Sequence, residues 1–476
     1  MVKVDIFRPG FVLQAAIWTA CGMAFILFGY DQGVFSGIVE NEDFLGTMGH
    51  PGDSLLGIIV SIYNLGCFFG CIVNFLVGDW LGRRRAMWLA MVWVVIGATL
   101  QCSAYSVPHM MVARFVTGIG TGIETSTVPM YQAELCEASK RGKLPHLCDC
   151  RLTVQVVILL VFGLPESPRY CYKEGRNEEA LQILSDFYGR PKDDPKILAE
   201  QAEILEALAI ETKHGEYKWR NILKRDEVCT GQRVASLLGY GMQFMNQVGG
   251  INLIVYFIPT VLSTNVGLSK NLSMIIGGCV QIMFVVGSFF PTFFVDRVGR
   301  RQPMMWGGKA NEHATSSASI AFFFVYMLIF GASVNCIPWV YVPEILPLHA
   351  RAKGTAIGIS SNWIWNFFVV MITPVIINRL QWKAYLIFMC TNFAFVPLVY
   401  FCYPETAKLT LEEIDFLFNN PEKSAVKLSK ELQKERRRGQ GRSIVVDTGI
   451  LRNASVASQG GQEKKQSASE EQVEEV

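Results

Sequence analysis

Long, almost uncharged apolar runs dominate this chain. They lie near residues 11–30, 55–77, 87–106, 110–130, 235–262, 273–295, 318–342, 355–378 and 384–403. A helix rising 1.5 Å per residue needs about 20 such residues to cross a bilayer core, and each of these runs meets or approaches that length. The composition agrees: of 476 residues, 51% are hydrophobic and only 18% are charged, against about 25% charged in soluble domains. This excludes a disordered chain, a nucleic-acid binder and an ordinary soluble enzyme. The net charge of +2 implies no acidic partner. The 13 cysteines lack C-x-x-C spacing and mostly sit in apolar stretches such as Gly66-Cys67-Phe68. They read as buried thiols, with no metal and no organic cofactor implied.

The basic residues set an orientation. Arg83, Arg84 and Arg85 follow the second run, and Lys140, Arg141 and Lys143 follow the fourth. The loops after the first and third runs carry no Lys or Arg. The expectation is an integral membrane protein with cytoplasmic N- and C-termini. The first run has no small-residue cleavage site and reads as a membrane helix rather than a signal peptide. Residues 170–230 are polar, and 177–190 and 196–213 have the pattern of amphipathic helices. The tail is charged and rich in Gly, Ser and Gln, which predicts disorder. The expected organisation is therefore an N-terminal membrane half (1–169), a cytoplasmic helical linker (170–230), a C-terminal membrane half (231–416) and a disordered cytoplasmic tail (417–476).

Three signatures occur twice in the same order. Gly78-Asp79-Trp80-Leu81-Gly82-Arg83-Arg84 pairs with Val295-Asp296-Arg297-Val298-Gly299-Arg300-Arg301. Glu134 and Arg141 pair with Glu344 and Arg351 at the same spacing, and Pro165-Glu166-Ser167 pairs with Pro404-Glu405-Thr406. Such twofold repetition is common in secondary transporters, and it predicts two pseudo-symmetric bundles. The repeated charges (Asp79, Arg83, Arg84, Glu134, Arg141 and Glu166; Asp296, Arg300, Arg301, Glu344, Arg351 and Glu405) are expected to form a cytoplasmic gate of carboxylate–guanidinium pairs. Positive-inside topology alone would explain the arginines, but not the acids at matched spacing.

On these motifs the chain resembles a sugar porter of the major facilitator superfamily, similar to fungal hexose:proton symporters. The resemblance is carried also by Phe28-Gly29-Tyr30-Asp31-Gln32-Gly33, Arg114 with Gly118, Gly120 and Gly122, Pro129 to Glu134, Gln243 to Asn252, Pro338-Trp339 and Asn362-Trp363. It implies an all-α membrane fold and transport of a monosaccharide with a proton by alternating access. Sugar contacts are implied for Gln243, Gln247, Asn252, Trp339, Asn362 and Trp363. Amides suit hydroxyls because they both donate and accept. Along one helix the offsets from Gln243 to Gln247 and Asn252 keep the three roughly on one face. Where relatives often carry another Gln, this chain has Asn246, one methylene shorter. Asp31, an acid inside a span, is implied to take up the proton, with Arg114 as its partner. The implied partners are a sugar, a proton and membrane lipid, in a monomer at the plasma membrane.

The pattern departs from twelve spans. Roughly 22 residues separate Gly142 from Pro165, where two helices would need about 40, and the apolar run at 152–164 reaches only roughly 20 Å. Residues 302–317, with Lys309, Glu312 and His313, are too polar to cross. The segments for the fifth and ninth helices are expected to be lacking, leaving about ten spans. Three other readings stay open: a uniporter or a quinate or disaccharide transporter, a non-transporting sugar sensor, and the inactive product of a truncated transcript.

Overall fold

The computed structural model describes residues 8–39, 41–135, 163–213, 239–265, 267–298, 318–335, 337–346, 351–380, 383–407, 409, 414, 417–418 and 424–437. The stretches where the fifth and ninth helices are expected to be lacking lie outside the described residues, at 302–317 entirely and at 143–164 in all but the last two residues.

The nine long apolar runs are largely helical over their described residues. The N-terminal half holds α1 (Phe11–Ile38), the short α2 (Glu42–Thr47), α3 (Asp53–Leu81), α4 (Arg83–Cys102) and α5 (Val107–Leu135). The linker holds α6 (Pro168–Lys173), α7 (Asn177–Tyr188) and α8 (Pro195–Lys213). The C-terminal half holds α9 (Gly239–Val248), α10 (Ile251–Asn265), α11 (Lys270–Val298), α12 (Ala318–Phe330), a π-turn (Gly331–Asn335), α13 (Ile337–Ile345), α14 (Arg351–Leu380) and α15 (Lys383–Cys402). Among the described residues, 7 helical spans are long and apolar enough to cross a membrane. The apolar part of α1 is shorter, Phe11–Ala24, and α5 is interrupted by buried Arg114 and Glu124.

Two spans that read as continuous in sequence are broken. Gly250 adopts φ +89°, a left-handed conformation that is cheap for glycine, and it separates α9 from α10. The Phe388 ring lies 2.6 Å from where a Cβ would stand. The second break is the π-turn between α12 and α13, and π-turns commonly mark functional sites. Asn252 therefore sits beyond a break, and the single-helix-face argument for the three amides does not hold as stated.

The two halves meet along α3 against α14 and α1 against α10. At the end carrying Phe35 and Val39 of α1, one apolar cluster draws on both halves, joining Phe35, Val60 and Met110 to Tyr256, Phe257 and Val370. At the other end the apolar clusters stay within a half. One packs α1 on α5 (Leu13, Ile17, Val128, Tyr131) and reaches Phe187 of the linker. Another packs α9 on α13 (Met242, Met245, Tyr341, Ile345).

The region expected to be a disordered tail contains a helix, α16 (Ala425–Arg437). Leu428 and Leu432, one turn apart, pack on Leu409, Ile414 and Leu417, and Gln433 Nε2 donates to the Ala407 carbonyl at 2.6 Å. Residues 438–476 lie outside the described residues.

Candidate functional site

The implied sugar-contacting residues converge where α9, α10 and α14 meet. Gln243 is 0% exposed and Asn362 is 1% exposed. Asn362 Nδ2 donates to Gln243 Oε1 at 2.7 Å, which leaves Gln243 Nε2 and Asn362 Oδ1 buried without a hydrogen-bond partner. Whichever way the two amides are turned, the pair offers one spare donor and one spare acceptor. Each spare buried group costs about 1–3 kcal/mol unless something satisfies it. Across the Gly250 break, Asn252 donates to Gln247 Oε1. Gln247 Nε2 donates to Asn246 Oδ1 at 3.2 Å, and Asn246 Nδ2 donates to the Val334 carbonyl at 2.9 Å. Gln247 and Asn252 are thus hydrogen-bonded to each other across the break.

Trp339, on α13, packs partly buried on a cluster with Tyr63, Cys67, Ile359 and Trp363. Trp363 is fully buried. Its Nε1 donates to Thr125 Oγ1 of α5 at 3.3 Å, and its ring meets Tyr63 edge-on at 6.2 Å. It is a contact between the halves.

Sequence reasoning missed the amide from the other half. Asn64 of α3 is 0% exposed; its Nδ2 donates to Asn366 Oδ1 at 3.2 Å, and its Oδ1 has no hydrogen-bond partner. Asn366 follows Asn362 by one turn of α14, so that i,i+4 spacing was a usable signal. Glu124, 2% exposed within α5, is a buried acid that no sequence motif singled out.

Arg114 is 2% exposed. It donates to the Val60 carbonyl at 3.0 Å, and its guanidinium lies 3.5 Å from the Phe35 ring centroid and 5.2 Å from that of Tyr63. Asp31 stands on α1 one turn before Phe35. Its side chain lies outside the described residues, and so does its expected pairing with Arg114.

Among the residues expected to form a cytoplasmic gate, Arg83 and Glu134 pair within one half. Arg83 Nη2 lies 2.8 Å from Glu134 Oε1, joining α4 to α5. Glu166 accepts from the backbone N–H of Arg83 at 2.9 Å and of Arg84 at 3.2 Å. It caps the α4 N-terminus, which follows Gly82 at φ +80° and has no side-chain cap of its own. A negative group is favoured there, yet burial outweighs these bonds and holds the Glu166 carboxyl above its ordinary value of 4.5. The Arg84 guanidinium lies 4.8 Å from the Trp88 ring centroid.

The repeat is visible in three dimensions. Tyr131 OH donates to the Pro165 carbonyl at 2.8 Å, and Tyr341 OH donates to the Pro404 carbonyl at 2.9 Å. Each tyrosine precedes its glutamate by three residues. Thr406 donates to Glu344 at 2.9 Å. Glu405 turns to its own loop and accepts from the Ala407 N–H at 3.0 Å. The side chains of Asp79, Asp296 and Arg351, and residues Arg141, Arg300 and Arg301, lie outside the described residues.

Comparison with known proteins follows this geometry. The family described as sugar (and other) transporter matches residues 16–155 and 150–418. The chain belongs to the sugar (and other) transporter family. Its members are transporters of the membrane, not enzymes, and the fold is that of the major facilitator superfamily. The chain is 36% identical to the MFS-type transporter oryC of Aspergillus oryzae, with 85% of each chain covered. It is 28% identical to the sugar transporter STL1 of Saccharomyces cerevisiae, covering 88% of this transporter and 85% of that one. In three dimensions it resembles the proton:xylose symporter XylE solved with 6-bromo-6-deoxy-D-glucose. The TM-score is 0.70 at 23% identity, over 85% of this transporter and 98% of XylE.

Proposed function

We propose that this transporter carries a hexose-type monosaccharide across the membrane together with a proton, by alternating access between its two halves. The observation that carries this reading is the Gln243–Asn362 pair, fully buried and left with one amide donor and one amide acceptor to spare. Vicinal hydroxyls of a sugar match that arrangement, since each hydroxyl both donates and accepts. Gln247 and Asn252 extend the polar wall, and Trp339 and Trp363 supply aromatic faces for the apolar side of a ring. The names sugar transporter for STL1 and proton:xylose symporter for XylE support a sugar as the substrate.

In this reading the cluster around Phe35 and Tyr256 closes the extracellular side, and the end bearing Arg83, Glu134 and Glu344 faces the cytoplasm with both termini. The gate acids and arginines brace each half as a rigid unit. Asp31, an acid within the first span, takes up the proton, with Arg114 as its partner. The protein is a monomer of the plasma membrane, organised as the halves, linker and tail bounded above.

The test is uptake of labelled hexose by a yeast lacking its own hexose carriers, recorded with external pH. Symport predicts uptake and alkalinisation of the medium on sugar addition, with the pH signal lost in Asp31→Asn. Uptake without a pH change would make the protein a uniporter. Binding without uptake would make it a sensor, the activity named for the high glucose sensor RGT2 of Saccharomyces cerevisiae, to which the chain is 30% identical while spanning 61% of that protein's length.

A further inference from the structure

Each of the two broken spans ends a helical segment inside the protein, and the last carbonyls of a helix have no partner within it. In water they would be solvated; inside a membrane each needs a donor. The structure supplies those donors crosswise. At the π-turn between α12 and α13, the Val334 carbonyl accepts from Asn246 Nδ2, which belongs to the other broken span, at 2.9 Å. At the Gly250 break between α9 and α10, the Gly249 carbonyl accepts from Tyr326 OH, which belongs to α12, at 3.4 Å. The same carbonyl accepts from Asn392 Nδ2 of α15 at 2.9 Å, and Thr391 holds the Val248 carbonyl at 3.2 Å. Asn246 and Asn392 are 4% and 9% exposed, and Tyr326 is 7% exposed.

We propose that Asn246 and Tyr326 form a reciprocal clasp that couples the two helix breaks, with α15 as its fixed anchor, so that α10 and α13 change position together. They are positioning residues. Gln247, bonded to Asn246 at 3.2 Å, leads to Asn252 on α10, and the π-turn leads to Trp339 on α13. The clasp therefore joins the amide wall to the aromatic wall of the site. It also gives the shorter side chain at 246 a reason: the residue is committed to a backbone carbonyl rather than to solute. The inference deepens the transport reading and rests on it for its consequence, but the coupling itself is a property of the chain alone.

The experiment is hydrogen–deuterium exchange on the purified full-length chain in nanodiscs, comparing wild type with Asn246→Leu and Tyr326→Phe. Losing one buried hydrogen bond is expected to speed exchange about fivefold. The clasp predicts that each variant speeds exchange in both 251–265 and 337–345, with 83–102 unchanged. A variant that affects only the segment beside its own lost bond, or neither segment, overturns the proposal. If Asn246→Leu speeds exchange in every helix it has damaged the fold, and Tyr326→Phe, which keeps the ring and its packing, decides by the same criterion. No solute is needed, so this outcome is independent of the transport reading. Absence of hexose uptake by the wild type would count against that reading and leave the clasp standing.

Discussion

The spare amide groups at Gln243 and Asn362 make stability and binding respond in opposite directions to mutation. Gln243→Leu removes the acceptor at 2.7 Å from Asn362 Nδ2, and Asn362, at 1% exposure, is then stranded with no bond to either end of its amide. A buried polar group stranded in this way costs about 1–3 kcal/mol. The double variant Gln243→Leu with Asn362→Leu removes both amides and both orphaned atoms. Replacing a bonded pair by apolar groups of similar shape is nearly neutral or stabilising, so the double variant is expected to regain stability to within about 1 kcal/mol of wild type. Binding does not recover. If a sugar satisfies both spare groups, losing two hydrogen bonds of about 1 kcal/mol each weakens affinity roughly 30-fold. Thermal unfolding in detergent and hexose calorimetry on the same preparations measure the two quantities. A double variant as unstable as the single one, or one that binds hexose as tightly as wild type, refutes the assignment.

Replacing either Tyr131 or Tyr341 by Phe deletes equivalent bonds to Pro165 and Pro404. Each should cost about 1 kcal/mol, and the two losses should add, because the sites lie in different halves; unequal losses in thermal unfolding would break the equivalence. Glu166, whose carboxyl is held above 4.5 by burial, is bound to more protons in the folded chain than in the unfolded one over the window just above that value. Its contribution to stability is therefore complete below pH 4.5 and is lost as pH rises through the folded value. Glu166→Gln should flatten that part of the stability–pH curve, and an unchanged slope would remove the explanation. Gly250→Ala forces a side chain into a left-handed backbone and against the Phe388 ring. It should cost about 2 kcal/mol or more, and Phe388→Ala should relieve only the part due to the clash.

How much of this was legible in the sequence depends on which signal carried it. The apolar runs were read correctly as helices because bilayer thickness sets a length that composition reveals directly. The repeat was readable from Glu134 and Glu344, Pro165 and Pro404, because the same structural unit was built twice with the same residues at its corners. The Gly250 break was not readable. Gly249-Gly250 sits in the uncharged run at 235–262 with no charge or adjacent proline to mark a stop, and the packing of Phe388 and the carbonyl donors Asn392 and Tyr326 make a break there cheaper than a helix. Asn64 escaped notice because an isolated amide within a span looks like helix–helix packing until Asn366 is found opposite it. Helix α16 was hidden by charge: Lys, Glu and Arg dominate its composition, and the Leu428–Leu432 stripe that anchors it becomes meaningful only beside Leu409 and Leu417. For the gate, sequence spacing showed that the charges were repeated. It did not show that Arg83 and Glu134 would pair inside one half.

The most direct test of the central claim is proton-driven uptake in a defined membrane. Purified chain reconstituted into liposomes that are alkaline inside and acidic outside should accumulate labelled hexose above its external concentration. Collapse of the pH gradient should abolish the accumulation, and Gln243→Leu with Asn362→Leu should raise the sugar concentration needed for half-maximal uptake. Liposomes that take up no hexose under the gradient, although calorimetry shows the same protein folded, would contradict the account.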